Sequence, residues 1–382
     1  MRTLLDIEDL VLKFYTYEGI VEALDEVNLN LKEGETLGVV GETGCGKSVT
    51  ALSTLVLVPT PGRIEGGHIF FEPGDKRVDL LRQDESVLRK IRGKDISMIF
   101  QEPRVYLNPV YTVLDQISEV YMQHRMKELC KRAIAEIDNE IKSGKASFLV
   151  EFDKSMFKEM LKNPKSSVLK VVSKIPILNR YKRRLERMLR KEVVEILRTM
   201  EIADPERVVN MYPHELSGGM AQRVVIAMAL ACNPTLLIAD EPTTNLDVTV
   251  QFQILNLIKI LKDKFGSSIL YITHDMGVVA EVCQRVAVMY AGSICEIADV
   301  MEIFKNPIHP YTKGLLESIP LPGKEFKSID GTVPSLINPP AGCRFHDRCP
   351  YAIEICSKMK PKMVEVKKDH FLRCHLYVGV RK

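Results

Sequence analysis

The chain of 382 residues lacks several things that would place it quickly. It begins MRTLLDIEDL, without a basic stretch followed by an apolar core. Its longer uncharged apolar runs, such as VVIAMALAC at 224–232, fall short of the roughly 20 residues that span a bilayer. We therefore expect a chain that is cytosolic or peripheral to a membrane. There is no internal repeat and no low-complexity tract, which excludes a repeat array or a disordered tail as the working part. Nine cysteines without a secretory leader argue against a disulfide scaffold. They also lack the short C-x2-C pairs of structural zinc sites. Net charge is weak too, at +3, but it is not evenly spread. Residues 124–190 hold 18 Lys and Arg against 8 Asp and Glu, so that segment is +10 and the rest −7.

What is present is an α/β pattern. Residues 1–40 alternate apolar and polar (LVLKFYTY, VEALDEVNLNL) and then run into TLGVV, which predicts an antiparallel edge leading into a buried strand. TLLIAD at 235–240 and SILYITHD at 268–275 read as strands covered on both faces. Between about 112 and 232 the spacing is helical, as in Leu185, Met188, Leu189, Val193, Ile196 and Leu197. After 290, proline and turn signals (NPIHPYT, SIPLPGK, INPPAG) predict a separate, irregular C-terminal region.

The strongest motif is GETGCGKS at 41–48, between a buried strand and a helix pattern. Gly41, Gly44 and Gly46 let the backbone aim N–H groups at phosphates; Lys47 reaches the β and γ phosphates and Ser48 ligates magnesium. Glu42, Thr43, Cys45 and Val49 complete the predicted nucleotide-binding stretch. TLLIADEP then ends a strand with Asp240, placed for the magnesium shell, and Glu241, placed to polarise an attacking water. Gln101 in MIFQEP is expected to sense the metal or the water, and His274 in YITHD to contact the γ-phosphate from a strand's carboxyl end. A thiol at a helix start beside Lys47 predicts a Cys45 that favours thiolate.

GETGCGKS, FQEP, LSGGMAQR, LLIADEP, NLD and THD occur in the order seen in ATP-binding cassette (ABC) proteins, and the chain resembles the ATP-binding subunit of an importer. The resemblance implies an ABC-type P-loop NTPase core with an antiparallel β edge at 1–290. It also implies an inserted helical subdomain at about 102–232, which carries the basic insertion at about 124–190, and a small irregular C-terminal extension at 291–382. It implies ATP and Mg2+ as ligands, with Ser48, Gln101 and Asp240 around the metal. Ser217, Gly218, Gly219, Met220 and Gln222 of the signature loop would face the ATP of an opposite subunit, with Asp247 at the same dimer seam. Many members carry glutamine where this chain has Met220. Of the aromatics in FYTY, Tyr17 is taken to stack on adenine.

YPHELSGGM, LNPVYTV, HPYTKGLLESIP and PPAGCRFHDRCPYA are similar to the dipeptide and oligopeptide importer branch. That implies a second, related but non-identical ATPase chain, two transmembrane permease subunits, an extracellular binding protein acting indirectly, and a site on the cytoplasmic face of the cell membrane. Oligosaccharide or nickel import, or a soluble cassette ATPase, are the other readings. No nucleic-acid partner is expected. Cys343, Cys349, Cys356 and Cys374 are separated by five, six and seventeen residues. Their spacing leaves an iron–sulfur cluster, zinc or reduced core thiols open, and the resemblance implies a [4Fe-4S] cluster. The basic insertion reads as a solvated helical hairpin or as a contact for anionic lipid headgroups.

Overall fold

The computed structural model describes residues 2–145, 147–164, 166–172, 175, 179–244, 246–320 and 328–377. Parts of the basic insertion, Asn245 of the NLD stretch and most of SIPLPGK lie outside them. The chain divides into two compact units, one of residues 1–101 and 234–382, the other of residues 102–233.

The first unit holds two sheets. Strands β1 (Thr3–Thr16) and β2 (Gly19–Lys32) pair antiparallel over their whole length. The strand β3 (Thr36–Val40) opens the second sheet. Strands β4 (Gly62–Phe71) and β5 (Val78–Asp79) complete the first, in the order β2-β1-β4-β5. Then come β6 (Ile96–Ile99), β7 (Leu236–Asp240), β8 (Ser268–Thr273), β9 (Arg285–Tyr290), β10 (Ser293–Asp299), β11 (Val364–Lys367) and β12 (His370–Leu372). The second sheet runs β11-β12-β10-β9-β3-β8-β7-β6. From β6 to β9 its neighbours are parallel; from β9 to β11 they are antiparallel. Every residue of β3, β7, β8 and β9 is buried, which is why their sequences are unbroken apolar runs rather than alternating ones. Leu5, Leu12, Leu24, Val39, Ile238, Ile272 and Met289 join one core under both sheets.

The C-terminal segment is more regular than its prolines suggest. SICEIAD forms β10, whose first six residues are buried, and β12 and β11 add two further strands to the same sheet. Turn signals dominate the text there because the strands are short and the connections long.

The second unit is helical. The helix Val113–His124 starts with a capping box between Thr112 and Asp115. The helices Met126–Glu140, Phe148–Lys162 and Arg180–Thr199 follow. The last buries Tyr181, Leu185, Met188, Leu189, Val193, Ile196 and Leu197 on one face and carries its basic residues on the others, partly or fully exposed. Its arginines are used to brace the bundle: Arg184 forks onto Glu140 at 2.8 Å through both terminal nitrogens, and Arg180 reaches the buried Asp153 at 3.1 Å. No helix among the described residues is long and apolar enough to cross a membrane.

Candidate functional site

The phosphate loop links β3 to the helix Lys47–Thr54. Two of its glycines are required by the backbone. A Cβ at Gly41 would lie 2.1 Å from the Met289 carbonyl oxygen, and Gly46 has φ of 104° with Leu24, Met289 and Ala23 packed against it. Lys47 is buried, and its ammonium donates to the carbonyls of Gly41 (2.7 Å) and Glu42 (3.1 Å), so the positive charge is held inside the curl of the loop. Thr43, Gly44 and Val49 fall in the same turn and first helical turn. Cys45 departs from expectation. Its thiol is fully buried, and burial pushes its pKa up despite Lys47 at 3.9 Å, so it is a protonated core group and not a reactive thiolate.

Ser48 donates from its hydroxyl to Asp240 Oδ1 at 3.0 Å. Burial pushes the Asp240 carboxyl up to about 6, the neighbouring charge of Glu241 adding to the effect. Two hard oxygen donors therefore stand together where a cation would relieve a desolvated carboxylate. That donor set fits Mg2+, which takes one or two carboxylates plus substrate phosphates and not a cage of acids. No group of three or more His, Cys, Asp or Glu among the described residues is arranged to hold a metal ion.

Glu241 follows Asp240 with φ of 45°, a strained conformation for a non-glycine residue. The turn points its carboxylate at three partners: Gln101 Nε2 at 3.2 Å, His274 Nδ1 at 3.2 Å and the Thr244 hydroxyl at 2.9 Å. The structure thus brings Gln101, Glu241 and His274 into one cluster at the carboxyl ends of β6, β7 and β8. Thr244 is a member that sequence reasoning missed; it sits three residues after the carboxylate in a run with no recognised motif letter. Tyr17, by contrast, is at the tip of the β1–β2 turn and 98% exposed. Asp247 is exposed and caps the helix Val248–Phe265 by accepting from the Val250 N–H at 3.0 Å.

In the helical unit, Ser217 caps the helix Gly218–Leu230, accepting from the Met220 N–H at 3.3 Å. Gly218 and Gly219 form its bare first turn, and Met220 is half-buried beside them. Gln222 does not belong with them. It is 1% exposed, so the expectation that it meets an opposite nucleotide is corrected: one helical turn on, position 222 points into its own unit.

The four late cysteines lie in the first unit. Burial pushes the Cys343 thiol up to about 11, with the neighbouring Cys356, Cys374 and Cys349 adding to it, but among the described residues no three cysteines are arranged to hold a metal ion. The stretch carrying Cys343, Cys349 and Cys356 is closed by a Cys343 N–H to Cys356 carbonyl bond of 2.7 Å.

Comparison with known proteins bears on this geometry. Residues 24–244 match the ABC transporter family, and residues 295–356 match the oligopeptide/dipeptide transporter C-terminal region. The chain is 44% identical to a probable peptide ABC transporter ATP-binding protein of Sinorhizobium fredii, over 97% of this chain and 94% of that one. It is 41% identical to the dipeptide transport ATP-binding protein of Bacillus subtilis, over 98% and 95%. Among solved structures, a dimeric bacterial ABC transporter cassette superposes with a TM-score of 0.54 at 24% identity, covering 78% of this chain and 99% of that one, a likeness of fold.

Proposed function

The chain belongs to the ABC transporter family, and from that premise we propose that it is the ATP-hydrolysing subunit of a membrane importer for peptides. The observation that carries the reading is the pairing of motifs in separate units. One unit holds a phosphate loop, an oxygen pair and a carboxylate cluster; the other holds a helix start with no charged residue of its own in the first turn. The peptide assignment is supported by the C-terminal match and by what the relatives are named for.

In this reading the loop amides and Lys47 bind the phosphates of ATP, and Ser48, Asp240 and Gln101 hold Mg2+, which when bound neutralises phosphate charge. Glu241 accepts a proton from the attacking water, with Gln101 and His274 fixing the carboxylate's direction and His274 reaching the γ-phosphate. Tyr17 stacks on adenine. Ser217 and the first-turn amides of Gly218 and Gly219, beside Met220, receive the γ-phosphate of ATP held by a second, related cassette, with Asp247 at the seam. ATP then bridges two chains and its hydrolysis parts them, which drives two permease subunits fed by an extracellular binding protein. The protein works at the cytoplasmic face of the cell membrane. Affinity purification from native membranes is expected to bring down two multispanning proteins and a second cassette; recovery of this chain without any membrane protein counts against transport.

For Cys343, Cys349, Cys356 and Cys374 we propose a [4Fe-4S] cluster. The support is the donor chemistry, four thiols within one C-terminal segment; among the described residues no three of them are arranged to hold a metal ion, so the sulfurs would have to close up around the cluster. Anaerobic purification should give brown protein with iron and acid-labile sulfide; colourless, iron-free, folded protein rejects the cluster.

A further inference from the structure

Glu42, the second residue of the phosphate loop, is held at each of its polar groups. Its N–H donates to the Tyr311 hydroxyl at 3.0 Å, and its carbonyl accepts from Lys47. Its carboxylate receives two bonds from the Arg348 guanidinium, at 2.7 and 3.1 Å. Tyr311 and Arg348 lie 269 and 306 residues further along the chain, in the C-terminal segment.

Arg348 has little freedom to do anything else. Its side chain is 5% exposed, and it also donates to the carbonyls of Asp330 (2.8 Å) and Ile329 (3.3 Å) and to the Tyr290 hydroxyl (3.3 Å). Beneath it, Tyr290, Tyr311 and Phe345 stack edge to face or tilted, with centroids 4.6, 5.1 and 5.3 Å apart. Arg344, on the same turn, is anchored to the carbonyls of Ala291 and Glu22. The segment is thus bolted to the core at both ends of CRFHDRC, and its second arginine is aimed at the phosphate loop.

A carboxylate in a loop built to receive phosphate is an electrostatic liability unless it is neutralised. We propose that Arg348 is a positioning residue of the nucleotide site: it cancels the charge of Glu42 and, with Tyr311, fixes the loop's curvature. The C-terminal segment is then a working part of the ATP site and not an appendage to it. This rests on the reading of the loop as an ATP site, and the test separates the two.

The test is calorimetric titration of the full-length chain with Mg-ATP, alongside its melting temperature without nucleotide. Wild type binding that Lys47→Ala abolishes establishes the loop as the site; no binding by wild type removes that reading and the inference with it. Given binding, Arg348→Ala is expected to weaken ATP about tenfold. Adding Glu42→Gln to Arg348→Ala is expected to restore affinity to within about threefold of wild type, because the unpaired charge is gone. A purely structural role would instead appear as a melting temperature, without nucleotide, that falls in Arg348→Ala and recovers with Glu42→Gln in step with affinity; a positioning role moves affinity with little change in melting temperature. Should Arg348→Ala fail to fold, Arg348→Gln replaces it. Unchanged affinity in the arginine variant, or a loss that Glu42→Gln does not repair, overturns the proposal.

Discussion

Two glycine-containing helix starts, GETGCGKS and LSGGMAQR, differ in what surrounds them. At the first, glycines are demanded by the fold: Gly44 and Gly46 take positive φ and Gly41 has a carbonyl where a side chain would be. A buried lysine, a hydroxyl, a carboxylate pair and a distant arginine converge there. At the second, Gly218 and Gly219 are not among the positive-φ glycines, and the first turn carries no charge. A helix that has no conformational need for two glycines, which cost about 1 kcal/mol each against alanine in a helix interior, has them for another reason. In the function proposed above, leaving the helix start bare for close approach by a second chain is that reason. The first loop reads as a complete site, the second as half of one.

The sharpest way to break this contrast is Glu241→Gln. If hydrolysis belongs to the first site, the rate falls about a thousandfold while ATP affinity stays within about threefold. If ATP joins two half-sites, the same variant with ATP and Mg2+ elutes as a dimer, alone or with its companion cassette. A variant that stays monomeric in both settings removes the second loop's assignment. Next in size is Gly219→Leu. Leucine is a better helix former than glycine, so the isolated chain should melt no lower and bind ATP as before. Hydrolysis should nonetheless fall about a hundredfold, because a side chain stands where the opposite nucleotide docks. Unaltered hydrolysis would leave the glycines without a role.

Sequence alone made the first site nearly legible, because phosphate chemistry compels a fixed spacing of glycine, lysine and hydroxyl, and Ser48 and Asp240 meet across 192 residues as their strand ends require. The parallel strands β3, β6, β7 and β8 were equally readable from their near-continuous apolar runs. Four things were not. Thr244 and Arg348 act on motif residues through side-chain geometry that no local pattern encodes. Cys45 was misjudged because its charge neighbourhood is visible in sequence and its burial is not. The regularity of β10 to β12 was masked by prolines in the connections between them. Gln222 fell on the wrong side of a helix whose start was read without its facing.

A smaller effect sharpens the metal half of the comparison. Metal ligation needs Asp240 as a carboxylate, and with its pKa near 6 it is mostly ionised at about pH 7 and mostly protonated at about pH 5. The Mg2+ concentration for half-maximal hydrolysis, corrected for Mg–ATP formation in buffer, should therefore rise about tenfold over that drop. A flat profile would detach Asp240 from the metal.

The smallest expected effect concerns Tyr17, and it tests whether the first site extends to the base. At the tip of the β1–β2 turn and 98% exposed, its ring contributes little to the fold, so Tyr17→Ala should leave the melting temperature unchanged. Stacking of a base on an aromatic ring is worth about 1–3 kcal/mol, and an exposed turn sits at the low end because its motion must be stilled on binding. ATP affinity should then fall about fivefold in Tyr17→Ala and recover in Tyr17→Phe, which keeps the ring face and loses only the hydroxyl. Inorganic triphosphate, which has no base, should bind the wild type and Tyr17→Ala equally. A loss shared by triphosphate would mean that the turn acts on the phosphate loop and not on adenine.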